Sequence, residues 1–462
     1  VDRLPQKQTN APLKVRHLAL EILNRVESPH HTLDRLMEEL PASGQLEERR
    51  DRALLNALVL GVARWRGRLD FIIGRCSRSP LEKIDPPVLN ALRLGVFQIV
   101  FLDRVPASAA VNTSVELVKQ IAPKWVVRFV NAVLRRVAAD WQRIALPALS
   151  ADPASAIAVR SSFPEWLVQR WIRRYGTEET LRRCDRLNEI PPITLRTNTL
   201  RSTRPELITS LTGEADAVEP TEIAPDGIRL RTPKRAVHEM AAFRRGWFQV
   251  QDEAAQLVTL LLPLQPGIAV LDACAGLGGK TGHIAQIMNN QGPLVALDNS
   301  ESRLNRLARQ MRRMGFENVR TAVRDLTDAS HIDDFGRFDR VMLDAPCSGL
   351  GVLRRNPDAK WKIGEAMLKR YSQIQSTLLE NLARLVNPQG YLVYAVCSSE
   401  PEEGKQIVDR FVSRHPEFCI DDPSGRLPNQ AQSLVAPDQT FATERCLDVM
   451  DGFFAACLRR TV

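Results

Sequence analysis

Between residues 13 and 142 the apolar positions recur at helical spacing. "RRDRALLNALVLGVARWRGRLDFII" is one long periodic run edged with Arg. Val111, Val115, Val118 and Ile121 fall at i, i+4, i+7 and i+10, and Val126, Val130, Val133 and Val137 form a similar stripe. Pro86, Pro106 and Pro123 punctuate these helices. Periodicity is lost in "IALPALSADPASA", which reads as a linker. In "FPEWLVQRWIRRYGTEETLRRCDRLN" two short basic helices meet near Gly176, and "PITLRTNTL" and "GIRLR" read as strands. After Gly246 the pattern alternates. "GIAVLDA", "PLVALD", "VRTAVRD", "FDRVMLDAP" and "GYLVYAVC" are short apolar runs, most of them separated by helical segments such as "SRLNRLARQMRRMG".

This order predicts a multidomain chain. An all-α domain occupies residues 1–145, a small α+β module 146–245, and an α/β domain with a parallel sheet covered on both faces 246–462. Right-handed crossovers place the carboxyl ends of parallel strands along one edge, where open α/β sheets bind ligands. Asp272, Asp298, Asp325, Asp344 and Cys397 each end a predicted strand or follow one, so all five are expected at that edge.

Composition narrows the function. The chain has 462 residues and no apolar run long enough to span a membrane, and its first residues lack the apolar core of a secretory leader. A cytoplasmic location is expected. The eight cysteines form no C-x-x-C pair, which argues against a zinc ribbon and against a disulfide scaffold, so reduced thiols are expected and no metal. The formal charge of +9 is concentrated early: residues 1–145 carry 23 Lys+Arg against 15 Asp+Glu, whereas later segments balance. A basic helical surface suits a polyanion such as RNA or DNA. The histidines are scattered and read as surface or core residues.

The glycine loop "DACAGLGGKTG" (272–282) fails two phosphate-loop tests. A Walker A loop requires glycine where Cys274 stands, and a dinucleotide fingerprint begun at Gly276 requires glycine where Thr281 stands. A close-backbone loop remains, followed by Asp298, whose carboxylate is placed to accept ribose hydroxyls. A ribose without a pyrophosphate, beside several carboxylates, favours the cationic cofactor S-adenosylmethionine.

Two thiols stand out, Cys347 in "DAPCSGLG" and Cys397 in "YAVCSSE". Methylating cytosine at C5 requires a thiolate to add at C6, which makes C5 nucleophilic, and an acid near N3 as charge develops there. Asp344 and the two cysteines supply those parts. Each cysteine precedes polar sequence read as starting a helix, where backbone N–H groups would favour a thiolate.

These residues resemble the bacterial ribosomal RNA 5-methylcytosine methyltransferases of the Sun/Fmu/RsmB type, over nearly the whole chain. "RHLALEILNRVE", "PPVLNALRLGVFQIVFLDRVPASAAVNTSVELVK" and "FVNAVLRRV" resemble the NusB-type RNA-binding fold. "DACAGLGGKT", "ALDNSESRLNRL", "RDLTD", "DAPCSGLGVLRRNPDAKW", "YAVCS" with "EPEEG", and "DGFFAACLRR" follow in the family's order. The resemblance implies a Rossmann-like methyltransferase domain and small-subunit ribosomal RNA as substrate before assembly is complete. It implies Cys397 as nucleophile, Cys347 as the thiol assisting release of the methylated product, and Asp344 as the group engaging the base near the methyl donor. Cys274, Ala275, Gly276, Leu277, Gly278, Gly279 and Lys280, with Asp298, Asp325 and Asp344, would bind S-adenosylmethionine.

Two positions depart from the family pattern. Gly276-Leu277 replaces Ala-Pro, which loosens the loop but still lets Leu277 pack, and Val396 replaces the Thr before the nucleophile. Transfer RNA or another RNA as substrate, and a non-catalytic NusB-like factor, are the alternatives, and intact Asp344, Cys347 and Cys397 weigh against the second. The absence of a long apolar heptad pattern favours a monomer, and no membrane association is expected.

Overall fold

A computed structural model of the chain describes residues 11–28, 31–39, 48–330 and 332–462. The opening residues read above for a leader, through residue 10, and His30 and His331 lie outside the described residues. The chain divides into two compact units, one running to Glu189 and taking in Leu353–Lys362, the other comprising Ile190–Val352 and Ile363–Val462. No helix among the described residues is long and apolar enough to cross a membrane.

The first unit is helical: α1 (Ala11–Val26), α2 (Leu33–Glu39), α3 (Arg49–Cys76), α4 (Pro86–Phe101), α5 (Ala107–Lys119), α6 (Lys124–Asp140), α7 (Pro153–Arg160), α8 (Glu165–Tyr175) and α9 (Thr177–Asn188). Helix α3 buries Leu55, Leu58, Val59, Val62, Leu69, Ile72, Ile73 and Cys76, and α6 buries Val126, Val130, Val133 and Val137, as the spacing predicted. Ile121 is exposed, because α5 has ended before it and the stripe stops at Val118. The linker is also shorter than expected. Asp152 accepts the backbone N–H groups of Ala154 and Ser155, both at 3.1 Å, and Pro153 opens α7 with its preset φ.

The segment Leu353–Lys362 is embedded among these helices. Arg64 donates to the Arg354 carbonyl at 2.7 Å, and Trp361 Nε1 donates to the Ala63 carbonyl at 2.7 Å. Lys360 is fully buried, with its ammonium 3.0 Å from the Arg64 carbonyl and 3.9 Å from the centre of the Phe163 ring. Burial pushes its pKa well down.

The second unit holds two sheets. The smaller is antiparallel, in the order β2–β3–β1–β4, from β1 (Ile193–Thr197), β2 (Ala215–Pro220), β3 (Gly227–Pro233) and β4 (Phe248–Val250), with α10 (Arg204–Leu211) and α11 (Ala241–Arg244). After α12 (Glu253–Leu260) come β5 (Val270–Ala273), α13 (Gly279–Ile287), β6 (Leu294–Asp298), α14 (Glu301–Met314), β7 (Val319–Val323) and β8 (Phe338–Asp344). The short α15 (Ala359–Lys362) belongs to the helical unit, and then α16 (Glu365–Ala383), β9 (Val386–Val396), α17 (Lys405–Arg414), β10 (Phe418–Ile420), β11 (Phe441–Ala442) and β12 (Phe454–Arg460) complete the chain.

The larger sheet has the order β10–β12–β9–β8–β5–β6–β7. Strands β9, β8, β5, β6 and β7 are parallel, as the alternation predicted. The sheet is nevertheless mixed: "FAACLRR" returns as β12, antiparallel to β9, and carries antiparallel β10. Successive residues bury opposite faces. Val270, Ala296, Met342 and Val393 join one core, and Leu271, Leu297, Leu343 and Leu392 the other. Chain order reverses direction at β5, flanked by β6 and β8, which opens a crevice beyond the carboxyl ends of β5 and β8.

Candidate functional site

Around that crevice the strand ends place their side chains. A cavity of about 580 Å³ is lined by Cys274, Asp298, Asp325, Asp344, Pro346 and Ile374, among others. Its size suits a small-molecule ligand. The glycine loop, which reaches the cavity at Cys274, has unusual backbone geometry: Cys274 at φ 59°, Gly276 at φ 56° and Gly278 at φ 84°. At Gly278 a Cβ would also lie 2.7 Å from Leu307 Cγ, so the turn demands glycine twice over.

Asp298 is almost fully buried at the end of β6. It accepts the N–H groups of Gly276 and Ser300, each at 2.9 Å, one on each oxygen. Each oxygen retains a lone pair for a further donor. Asp325 stands exposed at the rim, where Thr327 donates to it from backbone and hydroxyl at 2.9 and 2.6 Å and holds its carboxyl below the usual range. Within the loop, Cys274 lines the cavity and Ala275 to Gly279 form the turn. The packing open to Leu277 is not used, for its side chain is exposed. Burial and then the nearby carboxylates push the Cys274 thiol well up.

Lys280 points from the first turn of α13 to Asp344, its ammonium 2.6 Å from Oδ2. Behind this pair, Asp272 is completely buried and accepts the Thr281 hydroxyl at 2.5 Å. Burial raises its pKa to about 7, with Asp344 and Asp298 contributing and Thr281 and Lys280 opposing.

Cys347 and Cys397 meet, their sulfurs 3.1 Å apart as free thiols, on the loops that follow the adjacent parallel strands β8 and β9. The sequence had suggested helix N-termini beside each thiol. The structure corrects this: the helix after Cys397 begins only at Lys405, and residues after Cys347 run as loop through Val352. The Cys347 thiol is instead pushed well up by its hydrogen bond with Cys397 and by burial, with Glu403 adding to the effect.

Two groups escaped the sequence reading. Glu403, fully buried, receives donors from the residues after both cysteines, although "EPEEG" was the only signal that marked it. Arg196, on β1 of the smaller sheet, is also fully buried and donates to the Gly279 carbonyl at 2.8 Å and to Gln249 at 3.0 Å, while Gln249 donates to the Gly278 carbonyl at 3.2 Å. Burial lowers its pKa to about 9, which leaves it cationic at neutral pH. The small sheet thus braces the back of the cofactor-type loop. An Arg inside a strand-like run, "ITLRT", was the only trace in the sequence.

Comparison with known proteins agrees with this layout. Residues 259–459 match the family 16S rRNA methyltransferase RsmB/F, residues 13–139 the NusB family, and residues 163–238 the RsmF/B-like ferredoxin-like domain. The chain is 33% identical to the probable ribosomal RNA small subunit methyltransferase B of Bacillus subtilis, over 96% of this chain and 98% of that one. It is 34% identical to the protein of the same description from Synechocystis, over 96% and 98%. The crystal structure of PH0851 superposes with a TM-score of 0.81 at 26% identity, covering 98% of this chain and all of that one. From its NusB domain to its methyltransferase sheet, the chain belongs to the RsmB/F family of 16S rRNA methyltransferases.

Proposed function

We propose that this methyltransferase transfers a methyl group from S-adenosylmethionine to carbon 5 of a cytosine in 16S ribosomal RNA, through a covalent cysteine–C6 adduct. The observation that carries the reading is the pair of free thiols 3.1 Å apart, on loops leaving the strand edge where Lys280 holds Asp344. Amino-group methylation needs no thiol, whereas C5 methylation requires one.

The cavity fits the cofactor. Its volume is of ligand size, Asp298 keeps free lone pairs at the end of β6, and Asp325 and Asp344 offer negative charge to a sulfonium and an ammonium. Cys274 and the turn to Lys280, with Asp298, Asp325 and Asp344, would hold it, and when bound it supplies an electrophilic methyl group.

The Cys397 thiol gives up its proton to solvent, the thiolate sulfur adds to C6, and the electron pair of the C5–C6 double bond moves toward C5 and the N3 edge. Asp344, fixed by Lys280, meets that edge, and the ammonium offsets the developing negative charge. After C5 has taken the methyl group its proton passes to Cys347 in its thiolate form, the C–H electron pair re-forms the C5–C6 double bond, the C6–S bond breaks and Cys397 leaves as a thiolate. Cys347, adjacent to that sulfur, assists this release. The basic NusB domain gathers the RNA before assembly of the subunit is complete, with the protein acting as a cytoplasmic monomer.

The test uses small-subunit RNA from cells lacking the enzyme, with a transfer RNA pool as the rival substrate. Cys397→Ala should abolish tritiated methyl incorporation. Cys347→Ala should leave an RNA–protein adduct that survives denaturation. Exchanged phenotypes would reverse the assignment, and methyl transfer by the double variant would remove the covalent route.

A further inference from the structure

A carboxylate has no obvious reason to be fully buried beside two thiols, because desolvation opposes its charge and its charge opposes a thiolate. Glu403 is such a group, two residues before α17 begins at Lys405. Its oxygens are nevertheless well supplied. Oε1 accepts the Ser348 backbone N–H at 2.8 Å and Gln375 Nε2 at 3.3 Å, and Oε2 accepts the hydroxyls of Ser348 at 2.5 Å and Ser398 at 2.6 Å. Burial pushes its carboxyl up, and the donors of Ser348 and Ser398 pull it back.

The placement of these donors gives them meaning. Ser348 follows Cys347 and Ser398 follows Cys397. The two cysteines lie just past β8 and β9, where an N–H of Ala345 makes a late ladder-type bond to the Ala395 carbonyl at 2.9 Å. Beyond that point one carboxylate ties together the residues next to both sulfurs. Gln375 adds a brace, donating to both the Pro346 carbonyl, at 3.0 Å, and Glu403.

We infer that Glu403 is a positioning residue that clamps the two thiol-bearing loops together, so that Cys347 and Cys397 stay within reach of the same base. The inference rests on the proposed cysteine chemistry for its catalytic consequence, but the clamp itself is a matter of geometry. Without the carboxylate, three donors on Ser348 and Ser398 lose their acceptor, and the loops are left to their direct links, the Gly351 N–H on the Cys397 carbonyl at 3.0 Å and the contact of the Ser348 and Ser398 hydroxyls at 3.3 Å. A displacement on the order of 1 Å at reacting groups costs roughly a hundredfold in rate.

The test separates geometry from catalysis by using phenylarsine oxide. Its arsenic exchanges oxygen for two thiol sulfurs with release of one water, and so reports whether two sulfurs lie within reach of one atom. In the wild-type protein, peptide mass should show one arsenic bridging Cys347 and Cys397. In Glu403→Ala this capture should weaken by roughly tenfold or more, and methyl transfer should fall about a hundredfold in kcat with unchanged affinity for S-adenosylmethionine. Continued protection of the buried Cys457 from alkylation shows that the sheet is intact. If that protection is lost, Ser398→Ala removes the Cys397-side tie to Glu403, with the Ser348 and Glu400 contacts of the same hydroxyl, and should still lower capture and kcat. Wild-type capture and kcat in either folded variant overturn the clamp. Loss of capture in an enzyme whose wild type forms no RNA adduct leaves the clamp standing and removes the cytosine chemistry instead.

Discussion

Replacing Asp272 with Asn should stabilise the sheet-bearing unit, and by more as the pH rises. Asp272 is completely buried, one of its oxygens accepts the Thr281 hydroxyl, and the other has no partner. Its pKa of about 7 against an ordinary 3.8 means that the folded chain keeps a proton which the unfolded chain releases. An acid raised in this way costs stability as pH climbs from the unfolded value through the folded one. At 1.36 kcal/mol per unit, the penalty grows by about 2–3 kcal/mol between pH 5 and pH 8 for a single group with those two values. Asn has no proton to lose, keeps an acceptor for Thr281 and nearly matches the shape. The stability gap between variant and wild type should therefore open by that amount over this range. Cys457, buried on β12 of the same sheet, gives a local probe: pulse labelling with a thiosulfonate across a urea series reports unfolding of this unit alone. A gap that stays constant from pH 5 to pH 8, or that closes, refutes the reasoning, because Asp272 would then be ionised in the folded protein throughout.

Gly351→Ala should damage the site through the backbone, since the new Cβ would lie 1.9 Å from the Gly452 carbonyl oxygen and 2.9 Å from that of Cys397. Neither main chain has a side chain to move aside, so a loss of about 3 kcal/mol is expected in urea unfolding, together with slower methyl transfer. His415 caps the C-terminal end of α17, and although burial opposes its charge, Glu417 and Glu380 raise its pKa above the ordinary value. A raised histidine contributes fully below its unfolded pKa and loses that contribution as pH rises through the folded one. The melting-temperature advantage of wild type over His415→Gln should accordingly be largest at about pH 6 and shrink toward pH 9.

Much of this protein is set by short-range pattern. A 3.6-residue period cannot be satisfied by a strand, so the valines of α6 announced a buried helical face, and alternating strand and helix announced the five parallel strands. Parallel strands joined by one-handed crossovers share an edge, which is why Asp298, Asp344 and Cys397 could each be assigned to that edge from their positions in the chain. Where a strand lies within a sheet is a different matter. Nothing local to "FAACLRR" says that it inserts antiparallel between β9 and β10, because that choice depends on which edge is left unpaired. Nor does the run from Leu353 to Lys362, beside a catalytic-type motif, reveal that it packs among the helices of the other unit. Arg196 and Glu403 belong to the same class: a charge in a strand or a loop reads as solvated until folding surrounds it with partners far away in sequence. Sequence alone determined the elements and the chemical groups at the edge. Tertiary structure decided their partners, since the burial that makes a charge informative exists only after distant segments have closed over it.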